Sequence, residues 1–442
     1  MSFDPRKIAL QILNRLDSGD KTLDALLDDF HASSGSSEKR DRALMQALVY
    51  GVLRRRSRID GIISRFSKSG LRKIKPDILN ILRLGVFQVL FMDRIPASAA
   101  VHTAVEMAKS VSAPWTVRFV NAILRRVAAG PVPAAACPAE ENSIPKWLYS
   151  RWVDRFGKKK SKDVCNAVND IPPITFRTNT LKVSRDNLLS LLSEHALEIE
   201  PTVFSPEGIS FHSPRTAVFN MPGYAEGHFQ VQDEAAQLIG HILSPLAGET
   251  ILDACAGLGG KTGHTAQLMQ NKGALYAMDK DPQKLSRLEK EMERLGIIMV
   301  QPCRHDLSTP PVHLTHDFFD RILLDAPCSG LGVIRRNPDA KWRVSEKDIE
   351  RLRKLQLSFL FHLAPFLKPS GTIVYAVCST EPEENESVID EFLKSNPNFQ
   401  PNPIDATICI PTNCITENGY FRTYPHRLSM DGFFAARLKK VS

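Results

Sequence analysis

The chain has 442 residues, 43% hydrophobic and 24% charged, with a net charge of +8 at pH 7. Such a composition describes a globular protein of two or three domains. It excludes a helical membrane protein, because no run approaches about 18 apolar residues, and a disulfide-framed module, because the cysteines number only eight. The charge is uneven: residues 1–130 hold 22 Lys and Arg against 12 Asp and Glu. A basic N-terminal third is the electrostatic footprint of a nucleic-acid binder, though a solvated basic surface has the same composition. The opening MSFDPRKIAL has no apolar core of signal-peptide length, so a cytoplasmic location is expected. There is no CxxC pair and no Cys/His cluster at zinc spacing, so no metal is expected.

Residues 4–128 read as all-helical. Asp4 suits an N-cap and Pro5 a first helical position, followed by an apolar face of Ile8, Ile12, Leu13 and Leu16. Leu44, Leu48, Val52 and Ile59 continue the helical period, and further helical segments run to Val127. SSGSSEKRD (residues 33–41) is an expected polar loop. The Pro- and Ala-rich stretch 131–142 is an expected linker between a domain at 1–130 and a small α/β subdomain at 143–228. That subdomain begins with two helices in IPKWLYSRWVDRFGKKKSKDVCNAVN and has strands in ITFRTNTLKV and GISF.

From 229 to 442 strands and helices alternate, the pattern of a doubly wound, mostly parallel α/β sheet. Strands at 250–253, 274–278, 299–303, 321–324 and 372–377 are followed at once by Asp253, Asp279, Asp306, Asp325 with Cys328, and Cys378. Open α/β sheets bind ligands just beyond the carboxyl ends of their strands, so five such residues on one rim point to a site.

LDACAGLGGKTGHTA places Gly257, Gly259 and Gly260 between a strand and a helix. Glycine lets the backbone approach a ligand, and the helix N-terminus offers free N–H groups. The run is neither a P-loop nor a full GxGxxG, since Thr262 replaces the third glycine. Asp279, at the end of the second strand, suits an acid accepting from ribose hydroxyls, so a nucleoside-containing cofactor is expected. A cysteine at the mouth of such a site is a candidate nucleophile where helix termini or Lys261, Arg335 and Arg336 favour its thiolate. Taken alone, Cys378 reads as a small buried hydrophobe. IRRNPDAKWR, basic with Trp342 among the charges, suits a single-stranded nucleic acid.

DAPCSGLGVIRRNPDAKW, VYAVCSTEPEENESVI and MDGFFAARL resemble the RNA 5-methylcytosine methyltransferases, above all the bacterial RsmB (Fmu/Sun) group that acts on small-subunit (16S) ribosomal RNA. The resemblance spans nearly the whole chain and includes a NusB-like RNA-binding domain at the N-terminus. It implies S-adenosyl-L-methionine as cofactor, Cys378 as the thiolate that attacks carbon 6 of cytosine, and Cys328 as the residue that assists product release. It further implies Asp325 beside the methyl donor and target base, Asp279 on the ribose and Asp306 toward the adenine. Cys255, Ala256, Gly257, Leu258, Gly259, Gly260 and Lys261 would form the cofactor loop. Gly257-Leu258 stands where the family has Ala-Pro, so a looser turn is expected. Arg177, Asn179, Arg335, Arg336 and Lys341 are the expected RNA contacts, and a monomer is expected. A transfer-RNA enzyme, a DNA 5-methylcytosine methyltransferase, a non-catalytic ribosome-assembly factor and a nicotinamide oxidoreductase are the competing readings. The cysteine pair, the basic helical domain and the missing third glycine weigh against them.

Overall fold

The computed structural model describes residues 4–19, 21–33, 39–67, 70–111, 113–212, 214–404 and 409–441; the middle of the expected polar loop, residues 34–38, lies outside them. Contacts divide the chain into two compact units. One comprises residues 1–170 with Ile334–Val344, the other Ile171–Val333 with Ser345–Ser442. The division at Asp170 falls later than the linker expected at 131–142.

In the first unit, α1 (Pro5–Ser18), α2 (Leu23–Ser33), α3 (Lys39–Phe66), α4 (Pro76–Phe91), α5 (Ala97–Val111) and α6 (Pro114–Ala129) enclose one apolar core. Asp4 caps α1 by accepting from the N–H groups of Arg6 and Lys7, with Pro5 at the first position. Helix α4 carries buried residues on every side, from Ile78 to Gln88, as a central helix must. Part of the basic excess is structural: buried Arg83 pairs with Asp60 and Asp17, at 2.7 and 3.1 Å. After the short α7 (Pro138–Glu141), α8 (Lys146–Asn169) is interrupted at Gly157, whose φ of 75° splits it into the two expected helices.

The second unit begins with an antiparallel sheet ordered β2 (Glu198–Pro201), β3 (Gly208–His212), β1 (Ile174–Thr178), β4 (Phe229–Val231), backed by α9 (Arg185–Leu192). Next comes α10 (Glu234–Leu243), and then the large sheet. Its order is β10 (Phe399–Pro401), β12 (Phe434–Lys440), β9 (Leu367–Val377), β8 (Phe319–Asp325), β5 (Thr250–Asp253), β6 (Ala274–Asp279), β7 (Val300–Arg304), and β11 (Phe421–Arg422) pairs with β12. Strands β5 to β9 are parallel, whereas β12 is antiparallel to β9. Helices α11 (Gly260–Leu268), α12 (Pro282–Leu295), α14 (Glu346–Leu363) and α15 (Glu386–Ser395) follow the strands, and α13 (Ala340–Arg343) lies in the segment that belongs to the helical unit.

Strand order reverses at β5, which has β6 on one side and β8 on the other, so the rim beyond β5 is the topological switch point. Strand β9 carries an irregularity. KPSG lies within β9, but its four residues are skipped by the ladder, which jumps from Phe319↔Leu367 to Arg321↔Thr372, and Ser370 adopts a φ of 64°. It is a bulge rather than a strand end.

Candidate active site

Strand β5 ends in Asp253, buried to 1% exposure, whose Oδ2 accepts from the Thr262 hydroxyl at 2.6 Å while Oδ1 has no partner among the described residues. Burial pushes this carboxyl up to about 7. The loop then turns through Cys255, Ala256, Gly257 and Leu258 to Gly259, the N-cap of α11. Ala256 N–H donates to Met278 O at 2.8 Å, which fixes the loop to β6. Half-buried Cys255 has a thiol pushed well up by burial and by the surrounding Asp325, Asp253 and Asp279. Gly257 and Gly259 have φ of 56° and 85°.

Asp279 closes β6. Its Oδ2 accepts from Gly257 N–H at 3.0 Å and its Oδ1 from Asp281 N–H at 2.9 Å, so the second-strand acid braces the glycine turn. Leu258 is 44% exposed. Asp306, two residues past β7, is exposed; the Ser308 N–H at 2.9 Å holds its carboxyl below the usual range. Lys261 Nζ donates to Asp325 Oδ2 at 2.7 Å and lies 5.3 Å from the Phe433 ring. Burial works against the Lys261 ammonium, but Asp325 overrides it and holds its pKa above the ordinary value.

Asp325 ends β8 and pairs with Ala376 of β9. Beyond this pair the two chains stay together, with Ala326 N–H on Ala376 O and Gly332 N–H on Cys378 O at 2.9 and 3.0 Å. The register therefore brings Cys328 and Cys378 face to face, Sγ to Sγ 3.2 Å. The hydrogen bond with Cys378 and its own burial push the Cys328 thiol far up. The rim thus unites the glycine turn, Asp279, Asp325, Lys261 and both cysteines.

The expected RNA contacts are corrected in part. Arg177 is 1% exposed, and its guanidinium donates to Gly260 O at 2.7 Å and Gln230 Oε1 at 2.9 Å as well as to Gln232. Asn179 is 2% exposed and bridges Gly227 O and Leu295 O, both at 2.8 Å. Both brace the unit from inside because their side chains are spent on backbone and amide partners. Lys341 is fully buried in the helical unit, on Asn169 Oδ1 at 2.8 Å and Arg54 O at 3.2 Å, and burial lowers it to about 7. Arg335 is buried there too, its carbonyl accepting from Arg54 at 3.0 Å, and Arg336 is half-buried. Trp342 Nε1 donates to Leu53 O at 2.7 Å. Residues 334–344 are a packed strap of the helical unit, not a free RNA loop.

Sequence reading missed Ser329, Ser379 and Glu384, a buried network that joins the two cysteine loops. Their only signal was position, one residue after each cysteine and within TEPEEN.

The residues present fit S-adenosylmethionine. A Cβ on Gly260 would meet nothing nearer than Gln232 Nε2 at 4.0 Å, which leaves an open cradle at the helix N-terminus. An acid closes the next strand. A mostly parallel sheet with an open glycine cradle at its switch point is the architecture that binds a nucleoside-containing cofactor. Residues 240–439 match the 16S rRNA methyltransferase RsmB/F family, residues 4–129 the NusB family, and residues 144–218 the ferredoxin-like domain of RsmF/B-like methyltransferases. The chain is 35% identical to the probable ribosomal RNA small subunit methyltransferase B of Synechocystis, over 99% of both chains, and 33% identical to that of Bacillus subtilis, over 98% of both. A methyltransferase homologue protein of Pyrococcus horikoshii superposes with a TM-score of 0.59 and 29% identity, over 68% of this chain and 97% of that one. The chain belongs to the RsmB/F family of 16S rRNA methyltransferases.

Proposed function

We propose that this protein methylates carbon 5 of a cytosine in 16S ribosomal RNA through a covalent cysteine adduct. The observation that carries the reading is the cysteine pair, 3.2 Å apart at the carboxyl ends of adjacent strands. Carbon 5 of cytosine is a weak nucleophile. Attack of the Cys378 thiolate on carbon 6 moves electron density onto carbon 5, and splitting one hard step into two is the gain of covalent catalysis. S-adenosylmethionine, when bound, supplies an electrophilic methyl group. Cys328, its thiol pushed far up by the hydrogen bond with Cys378 and by burial, lies beside the attacking sulfur. For release, a base must take the carbon 5 proton; the electron pair left behind re-forms the C5=C6 double bond and expels Cys378 from carbon 6 as a thiolate, a step in which Cys328 is the proposed assistant. Asp325, held by Lys261, is the proposed hydrogen-bond partner of the cytosine ring edge.

The proposed cofactor contacts are Cys255 through Lys261, Asp279, Asp306 and Asp325. The NusB-like domain is the proposed RNA-binding module, and the names of the full-length relatives support ribosomal rather than transfer RNA. The test is incubation of 16S rRNA with the protein and labelled S-adenosylmethionine, followed by nucleoside mass spectrometry. Labelled 5-methylcytidine is expected; label on another base or another ring atom refutes the reading.

A further inference from the structure

A single buried carboxylate links the loops of both thiols. Glu384 is fully buried in the turn Pro382–Glu384. Its Oε1 accepts from the Ser329 N–H at 2.8 Å and from Gln356 Nε2 at 3.0 Å. Its Oε2 accepts from the Ser329 and Ser379 hydroxyls, each at 2.5 Å. Ser329 follows Cys328, and Ser379 follows Cys378. Gln356 Nε2 also reaches Pro327 O at 2.9 Å, on the other side of Cys328. The turn that carries Glu384 is anchored too, because the Tyr375 hydroxyl from β9 donates to the Glu384 backbone carbonyl at 2.6 Å.

Both oxygens are saturated by donors from within the chain, so no face of Glu384 is open to a substrate, and anything it does for the reaction it does through the cysteines. Burial pushes its pKa up, while these donors hold the charged form. A carboxylate with several charge-assisted hydrogen bonds is a rigid joint, stronger than neutral contacts would make.

We propose that Glu384 is a positioning residue: it clamps the Pro327–Ser329 turn to the Cys378–Thr380 strand end and thereby sets the distance between the two thiols. The consequence for catalysis rests on the two-cysteine reading above; the spacing itself does not.

The test uses the full chain and the variant Glu384→Gln. The amide keeps one oxygen for Ser329 N–H and Gln356, and the two serine hydroxyls can rotate to accept from its NH2, so the side chain still fits. The first readout is thiol proximity. The protein is equilibrated with oxidised and reduced glutathione, and the Cys328–Cys378 disulfide is quantified by peptide mass spectrometry. Each disulfide formed converts one glutathione disulfide to two glutathione thiols, so the equilibrium constant measures the effective concentration of one thiol at the other. Loosening the clamp is expected to lower that constant about 10-fold or more. The second readout is kinetic. The value of kcat is expected to fall about 10-fold or more while KM for S-adenosylmethionine stays within about 2-fold, because the cofactor loop is untouched. If Glu384→Gln lowers only the unfolding midpoint and leaves both the exchange constant and kcat unchanged, Glu384 is merely structural and the proposal fails. The exchange measurement needs neither RNA nor methyl transfer, so it judges the clamp even if the cysteine roles are wrong. If Glu384→Gln does not fold, Ser329→Ala and Ser379→Ala each remove one strut. The double variant must then show the same fall in the exchange constant, and an unchanged constant overturns the clamp.

Discussion

Two adjacent glycines should respond oppositely to a single methyl group. Gly259 sits at φ 85°, and a Cβ there would lie 2.9 Å from Leu288 Cγ and 3.0 Å from Met292 Cε, on the buried face of α12. An L-residue in that left-handed conformation costs about 1–2 kcal/mol, and overpacking a filled core adds about 1–3 kcal/mol. Gly259→Ala should therefore lose about 2–5 kcal/mol of stability. Gly260 is different. It is the first residue of α11, outside the left-handed region, and its Cβ would point into open space. Alanine in a helix is better than glycine by about 0.5–1 kcal/mol, so Gly260→Ala should leave the free protein as stable as before or slightly more so. The added methyl would instead occupy the cradle assigned to the cofactor, and a loss of about 10-fold or more in affinity, about 1.4 kcal/mol, is expected. Urea unfolding and calorimetric titration with S-adenosylmethionine measure the two effects separately. The reasoning is refuted if Gly260→Ala binds the cofactor within about twofold of the parent, or if it is destabilised as much as Gly259→Ala.

In the second unit, His241 Nε2 lies 2.9 Å from Glu207 Oε2. Burial disfavours its charge, but the Cys409 thiol and the Glu207 carboxylate override this and raise it to about 9. The folded state then holds a proton that the unfolded state releases near pH 6.5, so the stabilisation is complete below that pH and disappears as pH rises through about 9. His241→Gln should cost about 2–3 kcal/mol in urea unfolding at pH 6 and far less at pH 10; a loss independent of pH contradicts this. Lys261→Met leaves Asp325 without its cation. Because Asp325 is 31% exposed, the expected loss of stability is only about 1 kcal/mol, while single-turnover methylation should slow markedly; an unchanged rate would remove Lys261 and its partner from the site. Trp342→Ala should destabilise the helical unit by about 2–3 kcal/mol, seen in chemical denaturation, since its ring packs on that core and its N–H holds Leu53 O. A large fall in RNA affinity at unchanged stability would restore Trp342 as a nucleic-acid contact.

The parallel sheet was legible because β5, β6 and β8 are short apolar runs that stop at an aspartate and β9 one that stops at a cysteine, and the helices between them carry clean apolar faces such as Leu285, Leu288, Met292 and Leu295. The rim was legible for the same reason, since chain order alone places the ends of β5, β6, β8 and β9 side by side. What stayed hidden depends on packing between distant segments. Glu384 belongs to an acidic run that reads as solvated, and only the approach of Ser329, 55 residues away, makes it a buried joint. Arg177 and Lys341 read as surface cations, but long side chains can turn inward when carbonyls wait for them, here Gly260 O and Arg54 O. Lys261 meeting Asp325 across 64 positions was equally invisible, although both residues had been placed in the site.

The cysteine roles are most directly tested by trapping the adduct. Cys328→Ala and Cys378→Ala variants would be incubated with 16S rRNA and S-adenosylmethionine and resolved on a denaturing gel. Cys328→Ala should accumulate a slow-migrating covalent protein–RNA band, because it attacks but does not release, and Cys378→Ala should form neither the band nor methylated product. A band from Cys378→Ala with normal turnover by Cys328→Ala would contradict the account and reverse the two roles.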